Sequence, residues 1–136
     1  MAELVMDQTL AAFLHSYRDK PWMPGRVDCC MFLASWAIWL GHSDPAEHLR
    51  GTYDSDEGFR RHISEAGNVA LLVGACAAKI NAKTIETPVC GSIGVIGSSR
   101  NIDHQFGAIF DGGRWLVRFI NGVAPMSAKS LAIWAI

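Results

Sequence analysis

An excess of charge of either sign is missing from this sequence. Twelve Lys and Arg stand against 13 Asp and Glu, and charged residues make up 18%. Such a near-neutral chain lacks the basic footprint that holds nucleic acid or an anionic membrane surface, so neither is an expected partner. Long hydrophobic runs are missing too. The longest, from Cys29 to Leu40, falls well short of the roughly 20 residues needed to cross a bilayer, so no membrane span is expected. The start, Met1-Ala2-Glu3-Leu4 with Asp7 beyond, has no basic stretch ahead of an apolar one, and no conventional secretory signal is expected. Cysteine is scarce, at four residues (Cys29, Cys30, Cys76 and Cys90). No Cys-x-x-Cys pair occurs and no His lies four residues from another, so neither a metal site nor any other cofactor is expected. Cys76 and Cys90 read as small buried apolar residues.

What is present is apolar mass. Half of the 136 residues are hydrophobic, enough for a core, and the length suits one domain over residues 1–136. Up to about residue 80 the apolar spacing is helical. Leu10, Phe13, Leu14 and Tyr17 mark a first helix from about Leu4 to Tyr17. The prolines and glycine of Lys20-Pro21-Trp22-Met23-Pro24-Gly25 interrupt it. A second helix opens at Asp28, stops near Leu40-Gly41, and is apolar nearly all round, which predicts a central buried position. Ser55-Asp56-Glu57 opens a polar helix that ends at Gly67, and Asn68 caps a short apolar one.

Beyond about residue 80 short β-rich segments alternate with glycine. The expected strands are Ile93–Ile96, His104–Phe110, Arg114–Asn121 and a closing segment, Leu131–Ile136. Asp111-Gly112-Gly113 is a hairpin signal. Helices first and an antiparallel meander afterwards define an α+β class. The helix from Asp28 should cross the sheet built near Ile93, Phe106 and Leu116.

Two residues carry candidate chemistry. Cys29 stands in the first turn of the second helix, where free N–H groups and the helix dipole can bring a thiol from ~8.5 towards ~3.5–7.5. Cys30 is turned by about 100° and heads into the packing. His104 stands at the mouth of an alternating strand, where its imidazole can face that helix start. The remaining histidines, His15, His42, His48 and His62, read as surface residues.

The ordered pattern Trp22-x-x-Gly25-x-x-Asp28-Cys29, Pro88-x-x-Gly91-x-Ile93-Gly94-Val95-Ile96, His104-x-x-Gly107-Ala108-Ile109-Phe110, Gly112-Gly113-Arg114-Trp115 resembles the NlpC-type branch of the papain-like cysteine peptidases. The short Asp-Cys-Cys form is similar to its small members encoded among phage and prophage tail genes. The resemblance implies a papain-like fold, with N-terminal helices and a central buried helix on a C-terminal antiparallel sheet. It implies Cys29 as nucleophile, with its own N–H in the oxyanion hole, and His104 as general base and acid. The implied activity is hydrolysis of amide bonds in peptidoglycan stem peptides. The implied partners are phage tail or tail-tip proteins, and the implied location is the virion tail, after synthesis in the bacterial host cytoplasm.

Three positions depart from that pattern. Cys30 replaces the usual small residue, Cys90-Gly91-Ser92 replaces a Pro-Gly-Asp turn, and no orienting His, Asn or Gln occurs within Val117–Phe119. The alternative is therefore a weakly active or inactive papain-like module of a tail tip or tail-assembly complex. The orienting group turns on hairpin register. A two-residue type I′ loop at Gly112-Gly113 puts Asn121 opposite His104, and a three-residue loop puts Ile120 there with Arg118 on the diagonal.

Overall fold

The chain is mixed α+β; among the described residues four α-helices stand against a six-stranded antiparallel sheet. The computed structural model describes residues 2–136, and side chains from Val5 onward; Met1, where the reading of a leader begins, lies outside the described residues. Helix α1 spans Ala2–Tyr17. Leu10, Phe13 and Tyr17 form its buried face, and Lys20–Gly25 is irregular, as two prolines and a glycine require.

Helix α2 spans Cys29–Trp39 with Asp28 as its N-cap. Cys29, Met31, Phe32, Leu33, Ala34, Trp36 and Ala37 are buried. The expectation of burial all round fails at the C-terminal end, where Ile38 and Trp39 are 43% and 46% exposed. Helix α3, Asp56–Ala66, starts at a Ser55 cap that accepts from the Gly58 N–H. Gly67, at φ 112, ends it. Asn68 then caps α4, Val69–Lys79. Gly67 supplies the left-handed residue, and Asn68 an oxygen for the Leu71 N–H, so two helices separate across two residues.

The strands are β1 (Lys83–Thr84), β2 (Ile93–Gly97), β3 (Gln105–Phe110), β4 (Trp115–Phe119), β5 (Gly122–Pro125) and β6 (Ser130–Ala135). Their order is β1-β6-β2-β3-β4-β5. The expected strand Arg114–Asn121 is shorter, because the chain reverses at Ile120-Asn121 and pairs Phe119 with Gly122. The closing segment returns to the far side of β2, with a bulge between Val95 and Ile96. Two-residue β1 and Pro125-bearing β5 leave short edges that resist further pairing. As expected, α2 lies across the sheet, against β3 and β4. Phe13, Tyr17, Phe32 and Trp36 fill the space between α1 and α2, with Phe13 5.3 Å from both Tyr17 and Trp36.

The loop after α2 is held by one ion pair. Arg50 Nε donates to Asp44 Oδ2 at 2.8 Å, and Asp44 also accepts from the Ala46 N–H. Partial burial pushes the Asp44 carboxyl up, but the Arg50 hydrogen bond and charge outweigh it and hold the group below its ordinary 3.8. The pair's contribution is therefore complete above that pH and disappears as pH falls through the lower folded value. Asp44→Asn should remove this part of the acid limb of unfolding. Parallel acid titrations of wild type and variant by circular dichroism check it, and identical acid limbs would refute it.

Candidate functional site

The start of α2 is built around Asp28, which is fully buried. Oδ1 accepts from the N–H groups of Cys30 (3.0 Å) and Met31 (2.8 Å). Oδ2 accepts from the Gly25 N–H (2.9 Å) and the Tyr53 hydroxyl (2.6 Å). One carboxylate thus joins the Pro/Gly loop, the first turn of α2 and the segment before α3. Burial, then the charge and hydrogen bond of Asp28, push the Tyr53 phenol far up, so it stays a proton donor.

The neighbouring cysteines diverge. Cys29 lines an open cleft of ≈ 540 Å³ between α2, α3 and the β3–β4 end of the sheet. Cys30 lines an apolar internal cavity of ≈ 30 Å³ between α2 and α4. The 100° step of a helix separates them. By area the expected ranking is reversed, for Cys29 is buried at 8% and Cys30 is intermediate. A hydrogen bond with Cys29, then burial, raises the Cys30 thiol well above its ordinary value. No disulfide joins the four cysteines; Cys76 and Cys90 are half-buried rather than buried, and the Cys90 thiol donates to Asp7 at 3.0 Å.

The strand side of the cleft differs from the sequence reading. Strand β3 begins at Gln105, and His104 closes a short 3-10 turn, Ile102–His104. His104 is exposed, and its Nδ1 lies 3.2 Å from Asn101 Nδ2. Asp103 and Gln105 line the cleft; His104 is not among the lining residues. The side of β3 that meets α2 is fixed by Gly107, where a Cβ would stand 2.8 Å from the Cys29 carbonyl oxygen. Alternation places Gln105 on that same side. Its Oε1 accepts from the Val69 N–H at 3.0 Å and its Nε2 donates to the Ser98 carbonyl at 2.8 Å. Both ends of the amide are thereby engaged in holding α4 and the turn after β2.

The hairpin takes the two-residue register, with Phe110 paired to Trp115 and the Asp111 N–H donating to the Arg114 carbonyl. Of the two loop glycines Gly112 alone has positive φ, which is the II′ rather than the expected I′ pattern. Asp111 Oδ1 accepts from the Gly113 and Arg114 N–H groups. The β3–β4 ladder covers only Ile109/Leu116 and Phe110/Trp115. Asn121 therefore leaves the sheet in the exposed β4–β5 turn, and the group beside the His104 ring is Asn101. Leu116 pairs with Ile109 on the helix side, and alternation brings Arg118 to that side as well.

Arg118, 3% exposed, lines the cleft together with Cys29, Trp22 and Phe119. Gln105 and Arg118 are cleft residues that no motif in the sequence singles out. The available signals were the Gln105-x-Gly107 spacing and the single charge within apolar Trp115–Phe119. Arg60 and Asp103 pair across the cleft mouth, with Asp56 and Glu57 exposed beside them. Among the described residues no three His, Cys, Asp or Glu gather as metal ligands, and no helix is long and apolar enough to cross a membrane.

These features define an α+β protein with a thiol-bearing cleft at the start of its central helix. The chain belongs to the family described as Domain of unknown function (DUF6950), whose model matches residues 5–136. No curated protein and no solved structure matches it.

Proposed function

We propose that this chain is a papain-like module of NlpC type in a phage tail tip or tail-assembly complex, with a cleft that binds a ligand and cuts it weakly or not at all. One observation carries this reading. The two strand residues that line the cleft of Cys29 from the helix side are Gln105 and Arg118, and neither can take a proton from a thiol. Gln105 is committed at both ends to the scaffold, and Arg118 is a buried cation. A thiol nucleophile needs a base within hydrogen-bond reach, directly or through one water.

The second reading keeps the hydrolase, with Cys29 as nucleophile, His104 as base and Asn121 as orienting group, acting on peptidoglycan stem peptides. It is favoured by the place of Cys29, in the first turn of a helix and on an open cleft. It requires the exposed His104 ring to leave Asn101 and enter the cleft.

Digestion of purified peptidoglycan and soluble muropeptides separates the two. The expected result is the same product profile for wild type and Cys29→Ala, at the level of the buffer control. Products that vanish in both Cys29→Ala and His104→Ala would overturn the binding reading in favour of the hydrolase.

A further inference from the structure

Resting on the reading of a binding cleft, we infer that Arg118 makes the cleft a receptor for a carboxylate-bearing peptide, which places its carboxylate on the guanidinium near Cys29. The guanidinium is buried, yet every acceptor it has is a neutral carbonyl. Nη2 donates to Lys20 O at 2.6 Å, and Nη1 to Phe119 O and, at 3.3 Å, to Ile120 O. Its Nε has no hydrogen-bond partner. Among the described residues no carboxylate lies within ion-pair distance of it.

A buried cation without a counter-charge is costly, and a ligand anion relieves that cost. The carbonyl cage and the Trp22 ring, 5.9 Å from Cζ, fix the guanidinium plane without neutralising it. Arg and carboxylate match in shape as well as charge, because the planar fork donates two parallel N–H bonds.

The other charges of the cleft do not cancel this one. Asp103 is paired with Arg60. Asp56 and Glu57 are exposed in the first turn of α3, where solvent screens them and the helix N-terminus attracts them. The result is a cationic floor under an acidic rim. Apolar walls from Ile63, Phe106 and Phe119 suit a short peptide better than a bare inorganic anion. The ≈ 540 Å³ cleft lies within the roughly 300–1,000 Å³ range of small-ligand sites. The long contact to the Ile120 carbonyl is the one a ligand oxygen would displace. Ile120 itself is 64% exposed at the rim.

The test is a nitrogen-proton NMR titration of the whole chain with three peptides. N-acetyl-alanyl-alanine carries a terminal carboxylate, N-acetyl-alanyl-glutamate amide a side-chain one, and N-acetyl-alanyl-alanine amide none. Saturable shifts of the Arg118 Nε–H and Trp22 indole N–H are expected with one or both acids and not with the neutral amide. Which acid shifts them distinguishes a chain terminus from a side chain as the recognised group. Arg118→Lys keeps the charge and loses the fork, and should weaken binding by about tenfold or more.

If that variant fails to fold, the contrast between acid and amide in wild type still decides. Equal shifts with acids and amide, no shifts at all, or shifts confined to another face would overturn the proposal. Cys29-dependent peptidoglycan digestion would instead overturn the binding-only reading, and would leave a carboxylate-specific response at Arg118 intact.

Discussion

Replacing Asp28 by alanine is expected to lower the free energy of unfolding by roughly 3–5 kcal/mol, from a lost N-cap and several buried donors left without acceptors. The two oxygens accept from Gly25, Cys30, Met31 and Tyr53, and alanine supplies no oxygen in their place. For a chain of this size the midpoint of thermal unfolding should fall by ~10–20 °C. Tyr53→Phe removes only one of the four donors and leaves Oδ2 still bonded to the Gly25 N–H, so its cost should be about 1–1.5 kcal/mol. Urea unfolding of the two variants beside wild type makes the comparison. Equal losses in both would mean that Asp28 acts only through Tyr53, and that the carboxylate does not anchor the start of the helix bearing Cys29.

Trp36→Ala should cost about as much, ~3–5 kcal/mol, through a different mechanism. Trp36 has no exposed surface, packs on Phe13, and donates from Nε1 to the Gly91 carbonyl at 2.9 Å. Truncation leaves a cavity between α1 and α2 and orphans a carbonyl in the turn that leads into β2. Trp36→Phe refills most of the volume but cannot donate, and should cost roughly 1–3 kcal/mol. Stability should therefore rank wild type above Trp36→Phe above Trp36→Ala in denaturant melts. A Trp36→Ala loss below that of Trp36→Phe would reject both the cavity and the hydrogen-bond argument.

The candidate site divides in the same way between signals carried along the chain and contacts made across it. Asp28 ahead of Cys29, after a loop of prolines and glycine, announces its helix because capping and chain-breaking act within a few residues. Cys29 and Cys30 take opposite sides for an equally local reason, the helical step. His104 reads as the opening residue of a strand because Phe106–Phe110 alternates behind it. A 3-10 turn ends the pattern one residue later, at Gln105. Gln105 stands two residues from Gly107 and so shares the side that meets α2, which His104, three residues away, does not.

The sequence by itself determined the α+β class, the helix boundaries at Asp28, Gly67 and Asn68, and the presence of a hairpin at Asp111-Gly112-Gly113, though not its register, since each follows from propensities and turn chemistry inside a short window. Only the tertiary structure decided that β6 returns beside β2 and that β4 stops at Phe119 to make room for β5. It also decided that a lone arginine in an apolar strand becomes a buried cation held by carbonyls from Lys20, Phe119 and Ile120. Those outcomes depend on residues up to 98 positions apart. Strand pairing and burial are settled by competition among distant partners for the same space, which no local pattern records.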